Sequence, residues 1–456
     1  MNTLKTLVWG LVRPSCPVHG AIKRRALSTV SPKTTTPSAP QGSVVPGEVK
    51  VADQGLNSFA LADTDPKNHR PGDEGKIFKL NKDELKKVFP ETLAGGFQRI
   101  LFGRRRPPPV KVTPHWLELV KKDQPGFVIR KQAIEILSTL HCLSKQGVKD
   151  GKPAINCPGF LLDGAPGTGK STILNHCVHW ARSSGEWIVV FVPDATYYVD
   201  GVGVFQRDES GREILQASHA MQLLQQIINT NREKLAALPT EGALAKGGSK
   251  NVAEAIDNLL GMHIIQREEA AVSTCVNVLD ALRTQTKFPV LLAIDEINAL
   301  CGPSKYRDLE FQPLPASAVV LARALGRFQD AGFARGVVVG AATRTGEYSN
   351  IPLPSFGARK PLQVRGLSRE EMRAYLAYMN ASGDLFAPVT KELLDYLQFV
   401  TAGRPRDVEY ICSSELFNVG QNNAPKNKKV GKFFARTFGG YDGMILPPTL
   451  PPVALR

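Results

Sequence analysis

A long apolar run is the first feature that this 456-residue sequence lacks: none approaches the ~18 residues that a membrane-spanning helix needs. Paired cysteines are also missing, because the seven cysteines are scattered and form no CxxC pair. An odd number of scattered thiols argues against a disulfide framework and favours a reducing compartment. Hydrophobic content is 42% and charged content 22%, which indicates a globular protein with room for two or three domains.

Acidic residues are absent before Glu48, whereas residues 1–47 hold six lysines and arginines. A basic, Ser/Thr-rich start that can present an apolar face is typical of a mitochondrial transit peptide, with cleavage near residues 25–31. A disordered basic tail is the alternative, and a secretory signal fits less well because the apolar stretch at 7–12 is short. The N-terminus therefore predicts a protein of the mitochondrial matrix.

The net charge of +15 is unevenly spread along the chain. Residues 99–131 carry nine basic and two acidic residues, and residues 426–456 carry six and one. The first of these segments includes an extended arm, GRRRPPPVKV, at 103–112. Because the basic surplus is confined to extensions, we expect contacts with RNA or another polyanion there, with a solvated linker as the alternative.

Alternating helices and strands begin at about residue 126. Apolar strands at 159–164, 187–195, 289–295 and 336–343, separated by amphipathic helices, predict an α/β fold whose parallel sheet is covered by helices on both faces. A flexible loop is predicted at 240–250, a short helix at 81–91, and a capping box at Ser368 and Glu371.

These patterns divide the chain into five predicted regions. They are a transit peptide and linker (1–47), an N-terminal extension with the basic arm (48–125), a P-loop NTPase domain (126–365), a small helical lid domain (366–420) and an irregular tail (421–456).

Residues 164–171, GAPGTGKS, match the phosphate-binding motif GxxxxGK[ST]. The match follows a buried strand and opens a helix, where backbone N–H groups and the helix dipole can hold a phosphate. Lys170 would reach the β- and γ-phosphates, and Ser171 would bind Mg²⁺. The residues predicted here to bind nucleotide are Gly164, Ala165, Pro166, Gly167, Thr168, Gly169, Lys170, Ser171 and Thr172.

An acidic pair ends the apolar strand PVLLAID. Asp295 would join Ser171 in holding Mg²⁺, and Glu296 would activate a water for attack on the γ-phosphate. Hydrolysis is therefore chemically possible, and GTP or ATP with Mg²⁺ is the predicted cofactor. His176 and His179 lie one turn apart on the next helix, but no second ligand pair accompanies them, so packing is predicted rather than a metal site.

The segments GAPGTGKS, LLAIDEINAL, VVVGAATRTG and GRPRDVEY together resemble AAA+-like P-loop NTPases. More narrowly, the presequence and GFLLDGAPGTGKSTILNHCVHWAR resemble the death-associated protein 3 family, GTP-binding proteins of the mitochondrial small ribosomal subunit. The likeness to AAA+-like ATPases implies that Thr343 senses the γ-phosphate and that Arg406, or less readily Arg404, reaches the nucleotide. A strand-end turn and a surface salt bridge are the respective alternatives.

The family resemblance also implies partners and a role. It implies a structural place in the small subunit, contacts with rRNA and neighbouring ribosomal proteins, a link to apoptosis, and slow or no hydrolysis. We expect no membrane insertion and no obligate homo-oligomer.

The guanine-specific motif NKxD is missing, since NKDE at 81–84 has Glu in the Asp position and precedes the phosphate loop. The base stays open between guanine and adenine. An active AAA+-type ATPase that remodels proteins or nucleic acid, and a signalling switch, remain the rival functions. A remodelling ring needs an arginine finger, and Arg344 follows the sensor strand without being assignable to that role.

Overall fold

The computed structural model describes residues 59–60, 65–80, 126–145, 148–149, 152–153, 159–327, 332–356, 359–382, 385 and 389–413. The predicted transit peptide, the helix at 81–91, the GRRRPPPVKV arm and the tail after 421 lie outside the described residues. None of the helices in the described ranges is both long and apolar enough to cross a bilayer.

The secondary structure alternates between strands and helices. In chain order the strands are β1 (Ile77–Lys79), β2 (Gly126–Val128), β3 (Val148–Lys149), β4 (Lys152–Pro153), β5 (Gly159–Asp163), β6 (Ile188–Val192), β7 (Gln206–Arg207), β8 (Ile214–Leu215), β9 (Val290–Asp295), β10 (Pro303–Arg307), β11 (Pro313–Pro315), β12 (Gly336–Ala341) and β13 (Leu362–Gln363). The helices are α1 (Lys131–Lys145), α2 (Lys170–Ser184), α3 (Ala217–Ala236), α4 (Gly242–Ala245), α5 (Val252–Gly261), α6 (Ile264–Thr284), α7 (Val320–Gly326), α8 (Arg369–Ala381), α9 (Lys391–Thr401) and α10 (Pro405–Ser413).

The central sheet has the strand order β13-β5-β12-β9-β6, and every neighbouring pair is parallel. The strands predicted from apolar runs are confirmed as β5, β6, β9 and β12, and β13 adds an edge strand too short to show a pattern. Since β12 lies between β5 and β9, one strand separates the loop after β5 from the acidic pair after β9. Both lie at the carboxyl edge of the sheet, where ligands bind in open α/β folds.

Helices cover both faces of the sheet, as predicted. Successive residues of a strand point to opposite faces. Leu161 and Leu292 belong to a hydrophobic cluster with α3, α5, α6 and α7, whereas Phe160 and Leu291 belong to one with α1 and α2. The central strands are buried on both sides, which is why they appear in the sequence as continuous apolar runs.

A third hydrophobic cluster holds α8, α9 and α10 together. Its first helix has the predicted capping box, with the Glu371 N–H donating to Ser368 Oγ at 3.2 Å and the Ser368 N–H donating to Glu371 Oε2 at 2.8 Å. The antiparallel pair β1–β2 joins this cluster to the sheet, because Ile77 packs with the helices while Phe78 packs with α1 and α2. The boundary placed at residue 365 stays a prediction.

Two regions differ from the sequence-based expectation. The loop predicted at 240–250 contains the short helix α4, anchored by the buried Leu244. The polar segments at 206–215 and 303–315 form two antiparallel hairpins, β7–β8 and β10–β11. Strands β7 and β8 are only two residues long, and β10 and β11 contain prolines, so neither hairpin shows a strand pattern in the sequence.

Candidate nucleotide-binding site

The GAPGTGKS loop leaves β5 after Asp163 and enters α2 at Lys170. Gly169, with φ +96°, is the N-cap of α2 and contributes no side-chain hydrogen bond to it. The first N–H groups of a helix have no partner within the helix, and its dipole favours negative charge at that end. The start of α2 therefore has the features that a phosphate site needs, and phosphate binding at this loop stays a prediction.

Two loop glycines are required by close backbone approaches. A Cβ on Gly164 would lie 2.2 Å from the carbonyl oxygen of Val364, which follows β13. A Cβ on Gly167, where φ is +78°, would lie 2.9 Å from the Cβ of Arg406 in α10. The loop is thus enclosed between the edge of the sheet and the last described helix, and only glycine leaves room for both contacts.

Lys170 is the buried cation of the loop. Its Nζ donates to the carbonyl oxygens of Gly164 at 2.7 Å and Ala165 at 2.9 Å. Burial lowers the pKa of Lys170, while the carboxylates of Asp295 and Asp163 oppose that shift by favouring the charged form. The ammonium group therefore lies against the loop that would surround a phosphate.

The structure brings together the two residues predicted to bind Mg²⁺. The Ser171 hydroxyl hydrogen-bonds to the carboxylate of Asp295, which is only 4% exposed. Burial raises the pKa of Asp295 to about 6, and the bond from Ser171 acts in the opposite direction. In the described part of the chain no three His, Cys, Asp or Glu side chains are grouped as metal ligands. Mg²⁺ in proteins commonly keeps several waters and binds substrate phosphates with only one or two carboxylates.

Glu296 has a left-handed backbone, with φ +55°, and its N–H donates to Asp295 Oδ1 at 3.0 Å. Its carboxyl group hydrogen-bonds to that of Asp194, which follows β6. Two carboxyl groups form such a bond only when one of them is protonated, and burial raises the pKa of Asp194. Sequence analysis missed Asp194, although an acid just beyond an apolar strand is the same signal that identified Asp295.

Thr343 lies two residues beyond β12 and its backbone is fixed by Asn298. The Thr343 N–H donates to Asn298 Oδ1 at 2.8 Å, and Asn298 Nδ2 donates to the Thr343 carbonyl at 3.0 Å. Asn298 is fully buried in the turn after Glu296, so it joins the end of β12 to the acidic pair. Its neighbours in sequence give no sign of this role. A sensing function for Thr343 stays a prediction.

The N-terminus of α10 lies against the phosphate loop. The Arg406 N–H donates to the carbonyl oxygen of Gly167 at 3.4 Å. Arg404 is instead paired with Asp407, with 2.7 Å between Nε and Oδ2. The structure thus places Arg406, rather than Arg404, next to the loop, and its contact with a nucleotide stays a prediction.

Arg344 makes an ion pair with Asp163, the residue that ends β5. Two parallel bonds of 2.9 Å join Nε to Oδ1 and Nη2 to Oδ2. This fork lowers the pKa of Asp163. Arg344 is therefore held within its own chain, and this arrangement gives no support to a role as an arginine finger.

Arg130 is a buried residue of the site that sequence analysis missed. Its Nη1 donates to the Thr168 carbonyl at 3.2 Å, and its Nη2 donates to the Arg365 carbonyl at 2.8 Å. Its Nε lies 3.0 Å from Oε1 of Glu371, the capping-box acid of α8. One side chain thus ties the phosphate loop to the start of the helical segment. In the sequence, nothing distinguishes Arg130 from the other basic residues that precede α1.

Three histidines form a separate buried layer further along α2. His69 Nδ1 lies 2.9 Å from His176 Nε2, and the Phe78 ring packs at 4.9 Å from that of His176. Burial lowers the pKa of His176, and it lowers that of His179 to about 4. The layer packs the 65–80 segment against α2, and burial favours the neutral forms of His176 and His179.

The strand order, the glycine-rich loop between β5 and α2, and the acidic pair after β9 define an α/β protein with a P-loop NTPase-like fold. The family model described as mitochondrial ribosomal death-associated protein 3 matches residues 127–357, about half of the chain. The chain belongs to this family.

Curated relatives come from three organisms. The small ribosomal subunit protein mS29 of Schizosaccharomyces pombe is 26% identical over 71% of this chain and 65% of its own length. The mouse protein of that name is 24% identical over 82% of this chain and 93% of its own. The bovine protein is 22% identical over 62% of this chain and 66% of its own length. The matches thus span about two thirds of the yeast and bovine proteins and nearly all of the mouse protein.

Proposed function

We propose that this chain is a purine-nucleotide-binding structural component of the small subunit of the mitochondrial ribosome, and that it supports translation in the matrix. Family membership and relatives named as small-subunit proteins support the ribosomal role. The nucleotide role rests on one observation: α2 begins without a side-chain cap, with Lys170 and Ser171 beside Asp295. The family's link to apoptosis is carried over only as a family property.

The described residues fit a nucleotide with Mg²⁺. The N–H groups of residues 164–171 would bind the phosphates, with Lys170 neutralising their charge. Ser171 and Asp295 would hold Mg²⁺, which when bound supplies electrostatic stabilisation to the phosphate oxygens. Arg406 would approach from α10, and Thr343 from the end of β12. The sequence contains no guanine-specific motif. GTP is therefore proposed on the family resemblance alone.

We expect slow or absent hydrolysis, and the hydrogen bond between Asp194 and Glu296 supports this expectation. A base must be ionised and directed at the attacking water. While Glu296 holds the proton that it shares with Asp194, it cannot accept another from water. A retained nucleotide would then act on stability, because a ligand held at 100 times its Kd stabilises the folded state by about 2.7 kcal/mol.

The alternative is an active AAA+-type ATPase of the matrix. The position of Asp295 and Glu296 at one edge of the sheet favours chemical competence. The bonding of Arg344 to Asp163 within the chain argues against a finger that completes a neighbour's site.

The deciding experiment is the nucleotide content and turnover of the purified mature protein. Extraction and chromatography identify the bound base, and phosphate release is measured with ATP and with GTP. We expect retained nucleotide with negligible turnover, and co-sedimentation of the chain with the small subunit. Rapid exchange with steady turnover would favour the ATPase, and failure to bind either nucleotide would contradict the phosphate site.

A further inference from the structure

Two hairpins, β7–β8 and β10–β11, contact each other through an arginine side chain. Arg207 Nη2 donates to the carbonyl oxygen of Arg307 at 2.6 Å, which links one hairpin to the other. Each turn is also fixed by its own arginine: Arg207 Nη1 donates to Gly211 O at 3.2 Å, and Arg307 Nη1 donates to Phe311 O at 2.8 Å. The two turns therefore form one rigid unit.

The unit carries large apolar side chains in water. Leu309 is 75% exposed and Phe311 is 76% exposed, and Val204, just before β7, is 78% exposed. Leu309 also leans on the other hairpin, since its Cδ1 lies 3.6 Å from the position of a Cβ on Gly211. Exposed apolar groups held together in this way mark sites of protein–protein contact.

The backbone holds Phe311 in place at a conformational cost. Its φ is +61°, a left-handed conformation that a bulky side chain rarely adopts. Asp308 Oδ1 enforces the turn by accepting from the N–H groups of Glu310 at 2.9 Å and Gln312 at 2.7 Å. A rigid turn loses little conformational freedom when a partner binds, so it suits the role of an anchor.

The charge of the two turns says which class of partner fits. Residues 208–213 and 308–312 contain five acidic residues and one basic residue, a net charge of 1 − 5 = −4 in a chain whose total is +15. The acids lie in the turns and the bases in the stems: Arg207, Lys305 and Arg307 belong to the strands, and Glu213 is paired with Arg323, with 2.6 Å between Oε1 and Nη1. An acidic rim repels nucleic-acid phosphates and attracts a basic surface. The acidic turn tips therefore favour a basic protein over RNA as the occupant.

We propose that the two hairpin turns are a docking surface for a basic protein, which receives Leu309 and Phe311 in an apolar pocket rimmed by lysine or arginine. The inference does not depend on nucleotide binding. It rests on the proposed function only in that a ribosomal subunit would supply such a partner.

The first test compares two full-length double variants in cells that lack the wild-type chain. Leu309→Ser with Phe311→Ser removes the anchors. Ile264→Ser with Ile265→Ser is the control, because these side chains are also exposed, at 54% and 62%, but lie on α6. We expect the anchor variant to lose at least tenfold of its co-sedimentation with the small subunit in moderate salt, while the control resembles wild type. Both purified variants should unfold at the wild-type temperature.

The second test identifies the partner with a photo-reactive phenylalanine analogue at position 311 in living cells. We expect a cross-link to a protein peptide flanked by lysine or arginine, and weaker capture when Glu209→Lys and Glu310→Lys reverse the rim charge. A cross-link to RNA or to an acidic peptide, or no cross-link, would overturn the proposal. Co-sedimentation of the anchor variant like wild type would also overturn it, whereas absence of wild-type co-sedimentation would count against the ribosomal role itself.

Discussion

The helix α2 buries polar side chains in two regions, and the two differ in what surrounds them. At its N-terminus, Lys170 contacts carbonyl oxygens and lies near carboxylates that favour its charged form. Two turns later, His176 and His179 lie against aromatic rings, and burial favours their neutral forms. Between them, both amide atoms of the buried Asn175 have no hydrogen-bond partner among the described residues. The first region is built to hold charge, and the second is built to exclude it.

The largest expected effect is on stability, and it comes from removing the Arg130 side chain, which contacts the phosphate loop. Arg130→Ala leaves Glu371 largely buried without its cation and removes donors from the Thr168 and Arg365 carbonyls. We expect the free energy of unfolding to fall by about 4 kcal/mol, measured by urea denaturation. Gln132→Ala is the matched control, because it removes only an exposed bond to the Gln363 carbonyl. If the free energy of unfolding falls no more in Arg130→Ala than in the control, the contacts of Arg130 do not stabilise the fold.

Removing the cation itself should affect binding. Lys170→Ala takes away the ammonium that would neutralise phosphate charge, and we expect nucleotide affinity to fall about 100-fold, or about 2.7 kcal/mol. Calorimetric titration with GTP and ATP measures it, with the exposed Lys131→Ala of α1 as the control. Wild-type affinity in Lys170→Ala would mean that the loop is not a phosphate site.

Acidic pH should destabilise the region of α2 that contains His176 and His179. His179 has a pKa of about 4 in the folded protein and an ordinary value of 6.5, so below pH 6.5 the unfolded chain binds more protons. Stability therefore falls as the pH drops from about 6.5 towards 4, by about 2 kcal/mol at pH 5 from this residue alone. His179→Gln should flatten the curve of unfolding free energy against pH. If unfolding free energy depends on pH as steeply in His179→Gln as in wild type, another group causes the dependence.

The smallest effect on affinity is expected at the acidic pair. Glu296→Gln cannot accept a proton, so any slow hydrolysis should disappear while nucleotide affinity stays within about twofold of wild type. Asp194→Asn removes the partner that shares a proton with Glu296, so the pH profile of hydrolysis should move to lower pH. Phosphate release measured from pH 5 to 8 distinguishes the two variants. Unchanged hydrolysis in Glu296→Gln would remove that residue from the role of base.

Local patterns in the sequence account for much of the fold and for the centre of the site. Continuous apolar runs predicted β5, β6, β9 and β12, because a strand buried on both faces has no polar side. The phosphate loop was recognisable because its glycines, Lys170 and Ser171 are contiguous. The capping box was recognisable because its partners, Ser368 and Glu371, are only three residues apart.

The enclosure of the site was decided by tertiary structure alone. Arg130 meets its carbonyl partners 38 and 235 residues away in sequence, and Asn298 meets Thr343 45 residues away. No local pattern encodes such contacts, because they exist only once parallel strands have brought separate loops to one edge of the sheet. The same holds for Asp194, which reaches Glu296 through the pairing of β6 with β9, and for the two hairpins, which the Arg207 side chain joins by its bond to the Arg307 carbonyl. The sequence by itself determined which residues could bind a phosphate, and the packing of distant segments decided which neighbours hold them there.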